Sequence, residues 1–268
     1  MKDIQSTKDN RKMPINKVGI CDFRHPVNVL CQSGDKQSTI ATTSLSVNLQ
    51  HDVKGTHMSR LIEAITRNDM LISHQDMHLW LIFLCDKLGS SRAYLESNFP
   101  FFVDKYAPVS SMIGKMDYDC HMVAQLDAYG FNYVLEVTVP VTSLCPCSKE
   151  ISDRGAHNQR SRVSIAVKVS RLSTDLWIED IIKVAEDAAS APLYSLLKRP
   201  DEKYVTEQAY DNPVFVEDLV RSIAVNLVKD KRIIWFHVKS VNEESIHNHN
   251  AFAEIMWPEN EYSDIKTT

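Results

Sequence analysis

Apolar and polar residues alternate with a period of two along residues 38–51, where TIATTSLSVNLQH puts Leu45, Val47 and Leu49 on one side. That period marks a half-buried strand. The same signal predicts strands near 18–31, 91–104 and 119–128, and again at 131–142, 162–170, 232–241 and 251–257. Between the strands the period changes to 3.6. Met58, Leu61, Ile62 and Ile65 define one amphipathic helix; Met77, Trp80, Leu81, Leu84 and Leu88 define a second, with Ser73 as its N-cap and Asp76 three residues on. A third helix is predicted near 175–189, after Ser173-Thr174-Asp175, with Ile178, Ile181, Ile182 and Ala185 inward. A fourth starts at Asn212-Pro213, an N-cap followed by proline at the first helical position, and runs to about 230 with Val216, Val220, Ile223 and Leu227 inward.

The element order β-β-α-α-β-β thus occurs twice, with a turn at Asp127-Ala128-Tyr129-Gly130 between the halves. It predicts an α+β fold of two tandem modules, residues 17–129 and 130–258, each an antiparallel sheet backed by helices on one face. Residues 1–16 and 259–268 read as polar tails. Sheets with one uncovered face and open edges are completed by closure into a barrel or by other subunits, so an oligomer is expected.

Composition narrows the class. The chain has 268 residues, 44% hydrophobic and 24% charged, enough for a sizeable core without disulfides. A net charge of −5 argues against a nucleic-acid binder, which would carry a basic stripe. The N-terminal MKDIQSTKDNRKMPINK has no apolar h-region, and the longest aliphatic-aromatic run, LWLIFLC at 79–85, falls far short of a membrane span. The expectation is a cytoplasmic protein without a membrane partner. Its six cysteines show no disulfide-framework spacing, and most are expected to be buried as small apolar residues.

The candidate chemistry sits in SLCPCSKEISDRGAHNQRSR, residues 143–162. A C-x-C pair alone is weak. If the chain stays extended through Pro146, Cys145 and Cys147 share a side; if it turns there, they diverge. His157 on the same segment raises the metal reading, because thiolate, imidazole and carboxylate together suit zinc or another divalent first-row ion. His247, in ESIHNHNA before the last strand, is a plausible further ligand, with His249 as its rival. Among the carboxylates, Glu202 reads as a residue of a loop between helices, open to pairing with Lys198, Arg199 or Lys203. Glu217 lies early in the fourth helix, where an acid complements the helix dipole or accepts two parallel hydrogen bonds from a guanine edge. Residue by residue, the sequence reaches an oligomeric α+β protein with a thiol-imidazole metal site and an anion or purine pocket, and no reaction.

Several long, separated segments carry a resemblance: PVTSLCPCSKEISDRGAHNQRS (140–161), LLKRPDEKYVTEQAYDNPVFVEDLV (196–220), ESIHNHNA (244–251) and KGTHMSR (54–60). They closely resemble the type B branch of GTP cyclohydrolase I, along nearly the whole chain outside the tails. The resemblance implies the tunnelling fold, assembling into a barrel-like homotetramer with active sites between subunits. It implies conversion of GTP and water to 7,8-dihydroneopterin triphosphate and formate, the first step of folate and related pterin biosynthesis. The family's metal ligands fall on Cys145, His157, Glu202 and His247, and its purine-anchoring carboxylate on Glu217. Cys147 then reads as a supporting or packing thiol.

The implied chemistry uses a divalent ion, zinc, manganese or ferrous iron, to lower the pKa of water that attacks guanine C8. With four ligands bound, either the ion becomes five-coordinate when water enters or Cys145 leaves it, which would make Cys145 both ligand and catalytic group, with His157 or His247 transferring protons. The triphosphate needs cations, for which Lys149, Arg160, Arg162, Lys198, Arg199 and Lys203 are the local candidates. Two other readings compete: another tunnelling-fold pterin or deazapurine enzyme, using a cysteine nucleophile, and a non-catalytic purine-binding oligomer that a metal merely stabilises.

Overall fold

Alternation becomes strand at every predicted place in the computed structural model, which describes residues 4–5, 7–67, 71–170 and 176–258. The predicted helix start at Ser173-Thr174-Asp175, the tail 259–268, and residues 1–3 and 6 of the N-terminal tail lie outside the described residues. The first unit comprises Met1–Pro100 and Cys120–Leu135; the second comprises Phe101–Asp119 and Glu136–Thr268.

In the first unit, β1 (Ile15–Leu30) and β2 (Lys36–Leu49) form an antiparallel hairpin, and β3 (Leu71–Ile72) adds in parallel to β1. Helices α1 (Met58–Arg67) and α2 (His74–Leu88) precede β4 (Ala93–Tyr106), β5 (Ile113–Asp127) and β6 (Gly130–Leu144), the last three long enough to give a segment to each unit. The strand order here is β6-β5-β4-β2-β1-β3. Alternation along β2 buries Ala41, Thr43, Leu45, Val47 and Leu49. Helix α2 buries Met77, Trp80, Leu81 and Leu84, and each such leucine contributes about 1.5–3 kcal/mol. Its ends are those the sequence specifies. Ser73 Oγ accepts from the Asp76 N–H at 3.1 Å, and Gly89 takes the left-handed conformation (φ 62°) as C-cap. The predicted turn also holds: Asp127 accepts from the Tyr129 N–H at 2.8 Å, and Gly130 opens β6.

The second unit orders its strands β10-β9-β7-β6-β5-β4, with β9 (Ile233–Asn242) antiparallel to both β7 (Asn158–Val169) and β10 (Ala251–Trp257); the two-residue β8 (Ala191–Pro192) pairs with β6. Helices α4 (Ile178–Ala188) and α6 (Val216–Lys229) pack together, α6 covering β9 and β10 through Leu219, Val220, Ile223 and Leu227. Two more helices, α3 (Pro146–Ile151) and α5 (Arg199–Asp211), stand where the sequence predicts none. The order β-β-α-α-β-β therefore holds in the first half apart from the two-residue β3 between its helices, while the second carries two extra helices and β8.

Three expectations are corrected, the first two by helix capping. Segment 199–211 was expected to be a loop, because a helix burying only Asp201 and Ala209 shows no apolar stripe. Its start is specified instead by Pro200 in the first turn and by Asp201 Oδ2, which accepts from the Lys198 N–H at 2.8 Å. Glu202 is thus a helical residue. Asn212-Pro213 does not start α6: Asn212 is the C-cap of α5 and spends its amide on the Ala189 carbonyl at 2.8 Å. The helix begins at Val216 with Phe215 at the N-cap. Nor are most cysteines buried. Only Cys85 and Cys120 are, with Cys31 and Cys145 intermediate and Cys21 and Cys147 exposed, and none of the six is joined in a disulfide.

Buried polar groups tie the second unit together. Asp201, fully buried, accepts from the Val109 and Ser110 N–H groups and from Ser110 Oγ, so it fastens the β4–β5 turn to the start of α5. Burial pushes its carboxyl up, but the hydrogen bonds from Ser110, Lys198 and Val109 together hold it well below the usual carboxylate range. Glu186 of α4 pairs with Lys105 of β4 at 2.6 Å and accepts from Tyr118 of β5 at 3.0 Å. Arg232 bridges Asp230, the α6 C-cap, at 2.6 Å and Asp180 of α4 at 3.1 Å.

Candidate active site

The CPC segment turns at Pro146, so the two thiols diverge. Cys145 is the N-cap of α3, and its Sγ accepts the Ser148 N–H at 3.4 Å. Ser148 then staples the motif. Its hydroxyl donates to the Cys145 carbonyl and accepts from the His157 N–H, both at 3.1 Å, while the Cys145 N–H reaches the His157 carbonyl at 3.0 Å. Twelve residues apart in sequence, Cys145 and His157 are thereby fixed side by side. Gly155, with φ 80°, makes the reversal between them.

Both residues line a cavity of about 240 Å³, and so do Glu217 from the first turn of α6 and His247 from the loop before β10. The His157 and His247 rings meet edge-on with centroids 6.3 Å apart, and His247 stacks on His249 at 5.2 Å. The rival histidine therefore belongs to the same cavity. Beneath them lies a buried polar layer that sequence reading did not anticipate: Ser143, Gln159 and Asn242, with Glu244 near the rim. The one available signal was an amide and a serine, Gln159 and Ser161, at inward positions of a strand that continues with Val163 and Ile165.

The other expected residues lie elsewhere. Glu202 is exposed on α5 and does not line this cavity. Lys198, Arg199 and Lys203 are exposed around the same helix start, Lys203 3.8 Å from Glu207. Lys149 donates to the Tyr210 carbonyl and lies over that ring at 4.3 Å. Arg162 pairs with Glu243 at 2.9 Å. Arg160 lines a second cavity of about 270 Å³ with Thr142, Asn158 and Thr206. Cys147 is exposed and lines neither.

A thiol, two or three imidazoles and carboxylates around one cavity are donors of the type that holds a borderline divalent ion. Among the described residues no three of them are drawn close enough to grip an ion as they stand. The fit is in donor chemistry, anchored by the stapled Cys145–His157 pair. The described residues include no helix long and apolar enough to cross a membrane.

Solved structures share the architecture. The uricase of Arthrobacter globiformis matches with a TM-score of 0.53 at 8% identity, covering 90% of this chain and 92% of that one. Urate oxidase of Bacillus subtilis 168 matches at 0.52 and 8%, covering 90% and 97%. At such identity the likeness is one of fold, the α+β tunnelling fold expected from the sequence. Sequence relatives are far nearer. GTP cyclohydrolase FolE2 of Methylobacillus flagellatus is 47% identical over 255 residues, 95% of each chain. That of Magnetococcus marinus is 48% identical over 255 residues, again 95% of each, and that of Nitrosospira multiformis 49% over 253 residues, 94% of this chain and 95% of that one. The sequence model of the type I GTP cyclohydrolase folE2 family matches residues 1–253. With the match running through the stapled cysteine–histidine segment, the α6 acid and the histidines of the loop before β10 alike, the chain belongs to the type I GTP cyclohydrolase FolE2 family.

Proposed function

We propose that this chain is a GTP cyclohydrolase I, converting GTP and water to 7,8-dihydroneopterin triphosphate and formate. The observation that carries the reading is the single cavity that gathers Cys145, His157, His247 and Glu217 from four separate elements of a chain in this family. Cys145, His157 and His247 would hold a divalent ion, zinc, manganese or ferrous iron; Glu202, the fourth donor the resemblance implies, lies outside the cavity of its own chain and would have to reach the ion by a movement of α5 or from a neighbouring subunit. Bound there, the ion would lower the pKa of water and supply a nucleophile near neutral pH.

The chain's own residues do the rest. Glu217 accepts the two adjacent N–H groups of the guanine edge, which orients C8 toward the Cys145–His157 pair. Of the His157 and His247 rings, edge-on in the cavity, one with a nitrogen left off the ion would take the proton from attacking water and return one to the ring nitrogen released when the C8–N bond breaks. A second hydrolysis frees C8 as formate, and the ribose carbons then rearrange and close onto the freed nitrogens with loss of one water to give the pterin. Whole small-molecule sites usually occupy roughly 300–1,000 Å³. At about 240 Å³ this cavity suits the base and leaves the triphosphate to surrounding cations. Lys149, Arg160, Lys198, Arg199 and Lys203 are the proposed set. The proposed assembly is a homotetramer whose active sites lie between subunits.

The test is turnover. Chelator-treated protein is reloaded with zinc, manganese or ferrous iron, and formate is followed together with the fluorescence of oxidised neopterin. Stoichiometric formate and pterin that return with metal and vanish in Cys145→Ala are expected. GTP binding without formate under every metal would overturn the proposal.

A further inference from the structure

Ser143, buried at the end of β6, touches three polar partners through its hydroxyl: the Val214 carbonyl at 2.9 Å, Gln159 Nε2 at 3.4 Å and Asn242 Nδ2 at 3.3 Å. A hydroxyl has one proton and two lone pairs. The Val214 carbonyl can only accept, and its own N–H is already committed to the Leu144 carbonyl at 3.0 Å. The Ser143 proton therefore goes to Val214. Both remaining lone pairs must then be met by N–H groups, which turns the amide nitrogens of Gln159 and Asn242 toward Ser143. The opposite end of Asn242 fits, its Oδ1 accepting from Ser161 Oγ at 2.6 Å.

The same constraint fixes the far end of Gln159. Its Oε1 faces His157 Nδ1 at 2.9 Å and can only accept. The next neighbour of that nitrogen, Glu244 Oε2 at 4.0 Å, is also an acceptor. A Gln159 flipped end for end would set oxygen against the Ser143 lone pairs and N–H against the ring, in a layer too buried for water to repair it. We propose that Ser143 and Gln159 are positioning residues that hold neutral His157 in its Nδ1–H tautomer and reserve Nε2 as its electron-pair donor. Which ring nitrogen takes a metal ion or a proton is then decided by a backbone carbonyl three residues before Glu217. The tautomer assignment stands on the hydrogen bonds alone; its use in metal binding rests on the proposed function.

Nitrogen-15 spectra of histidine-labelled, metal-free protein, with His157 assigned through His157→Asn, read the tautomer directly. The expected result is a protonated Nδ1 and an unprotonated Nε2 at a pH where the ring is neutral; the Nε2–H form in the parent protein overturns the proposal. In Gln159→Leu the ring should move toward the Nε2–H form, and metal affinity, from competition with a chromophoric chelator, should fall about 10–100-fold. Ser143→Ala, a smaller change should Gln159→Leu not fold, should shift the ring in the same direction. An unchanged tautomer in either Gln159→Leu or Ser143→Ala overturns the proposal. A parent protein with the Nδ1–H form that binds no metal would instead count against the proposed function.

Discussion

Replacing Glu217 with alanine separates recognition of the base from folding. The side chain is exposed in the first turn of α6, so its part in stability is limited to the helix dipole, about 0.3–1 kcal/mol. At about 2–4 °C per kcal/mol for a chain approaching this size, the melting temperature should drop by no more than about 4 °C. Recognition should suffer far more. Two hydrogen bonds to a charged carboxylate contribute about 1.5–3 kcal/mol each, so losing both weakens binding by about 10²–10⁴-fold. Because Glu217 is hydrated before GTP arrives, the lower end applies. Calorimetric titration of GTP into metal-free protein measures this without turnover. Inosine triphosphate, which lacks the 2-amino group, supplies the control: the parent should bind it less tightly than GTP, and Glu217→Ala should bind the two alike. A variant that still distinguishes them as the parent does would refute the anchoring role.

Further outcomes follow from the packing. Ser148→Ala removes both hydrogen bonds of the staple, so stability should fall by about 1–2 kcal/mol and metal affinity about tenfold, as read by thermal unfolding and chelator competition; unchanged affinity would refute the staple. Lys105→Met strands Glu186 in a site where the paired side chains are 11% and 16% exposed, at a cost of about 3–5 kcal/mol in urea unfolding. Much of that loss should return in Lys105→Met/Glu186→Gln, which leaves Tyr118 an acceptor; additive losses would sink the pairing argument. Asp230→Asn tests linkage. The Arg232 guanidinium holds the Asp230 carboxyl below the usual carboxylate range against the opposing effect of burial, so the stabilisation is complete above the unfolded value near 3.9 and fades as pH falls below it. The difference in urea midpoint between parent and variant should be constant from pH 7 to 5 and narrow by pH 3; a gap unchanged at pH 3 would contradict the assignment.

Where one residue type dominates a local choice, the sequence was readable. Alternation located β2, Ser73 and Asp76 located the start of α2, and Gly130 located the turn into β6. Reading failed where capping rather than an apolar stripe makes the helix, as in α5, and where Asn212 could cap either of two helices. The candidate site was legible in parts. Cys145, His157, Glu217 and His247 were named from motif resemblance, and the structure brings these four to one cavity. Spacing could not have done so, because the loop before β10 is brought to the CPC segment only by strand pairing. Ser143, Gln159 and Asn242 went unseen, since a small polar residue on a strand reads as surface until its neighbours are known. Glu202, named with equal directness, stays on the exposed side of α5.

Asp201 holds two segments at once through the amides of Val109 and Ser110 in one and of Lys198 in the other. Amides in a surface turn ordinarily exchange their protons with solvent quickly, and those at the first turn of a helix do the same. Here neither set can exchange until one carboxylate lets go of both. Residues 109, 110 and 198, far apart in the chain, thus form a single opening unit, and deuterium uptake at the β4–β5 turn becomes a clock for the loosening of the helix that carries Glu202.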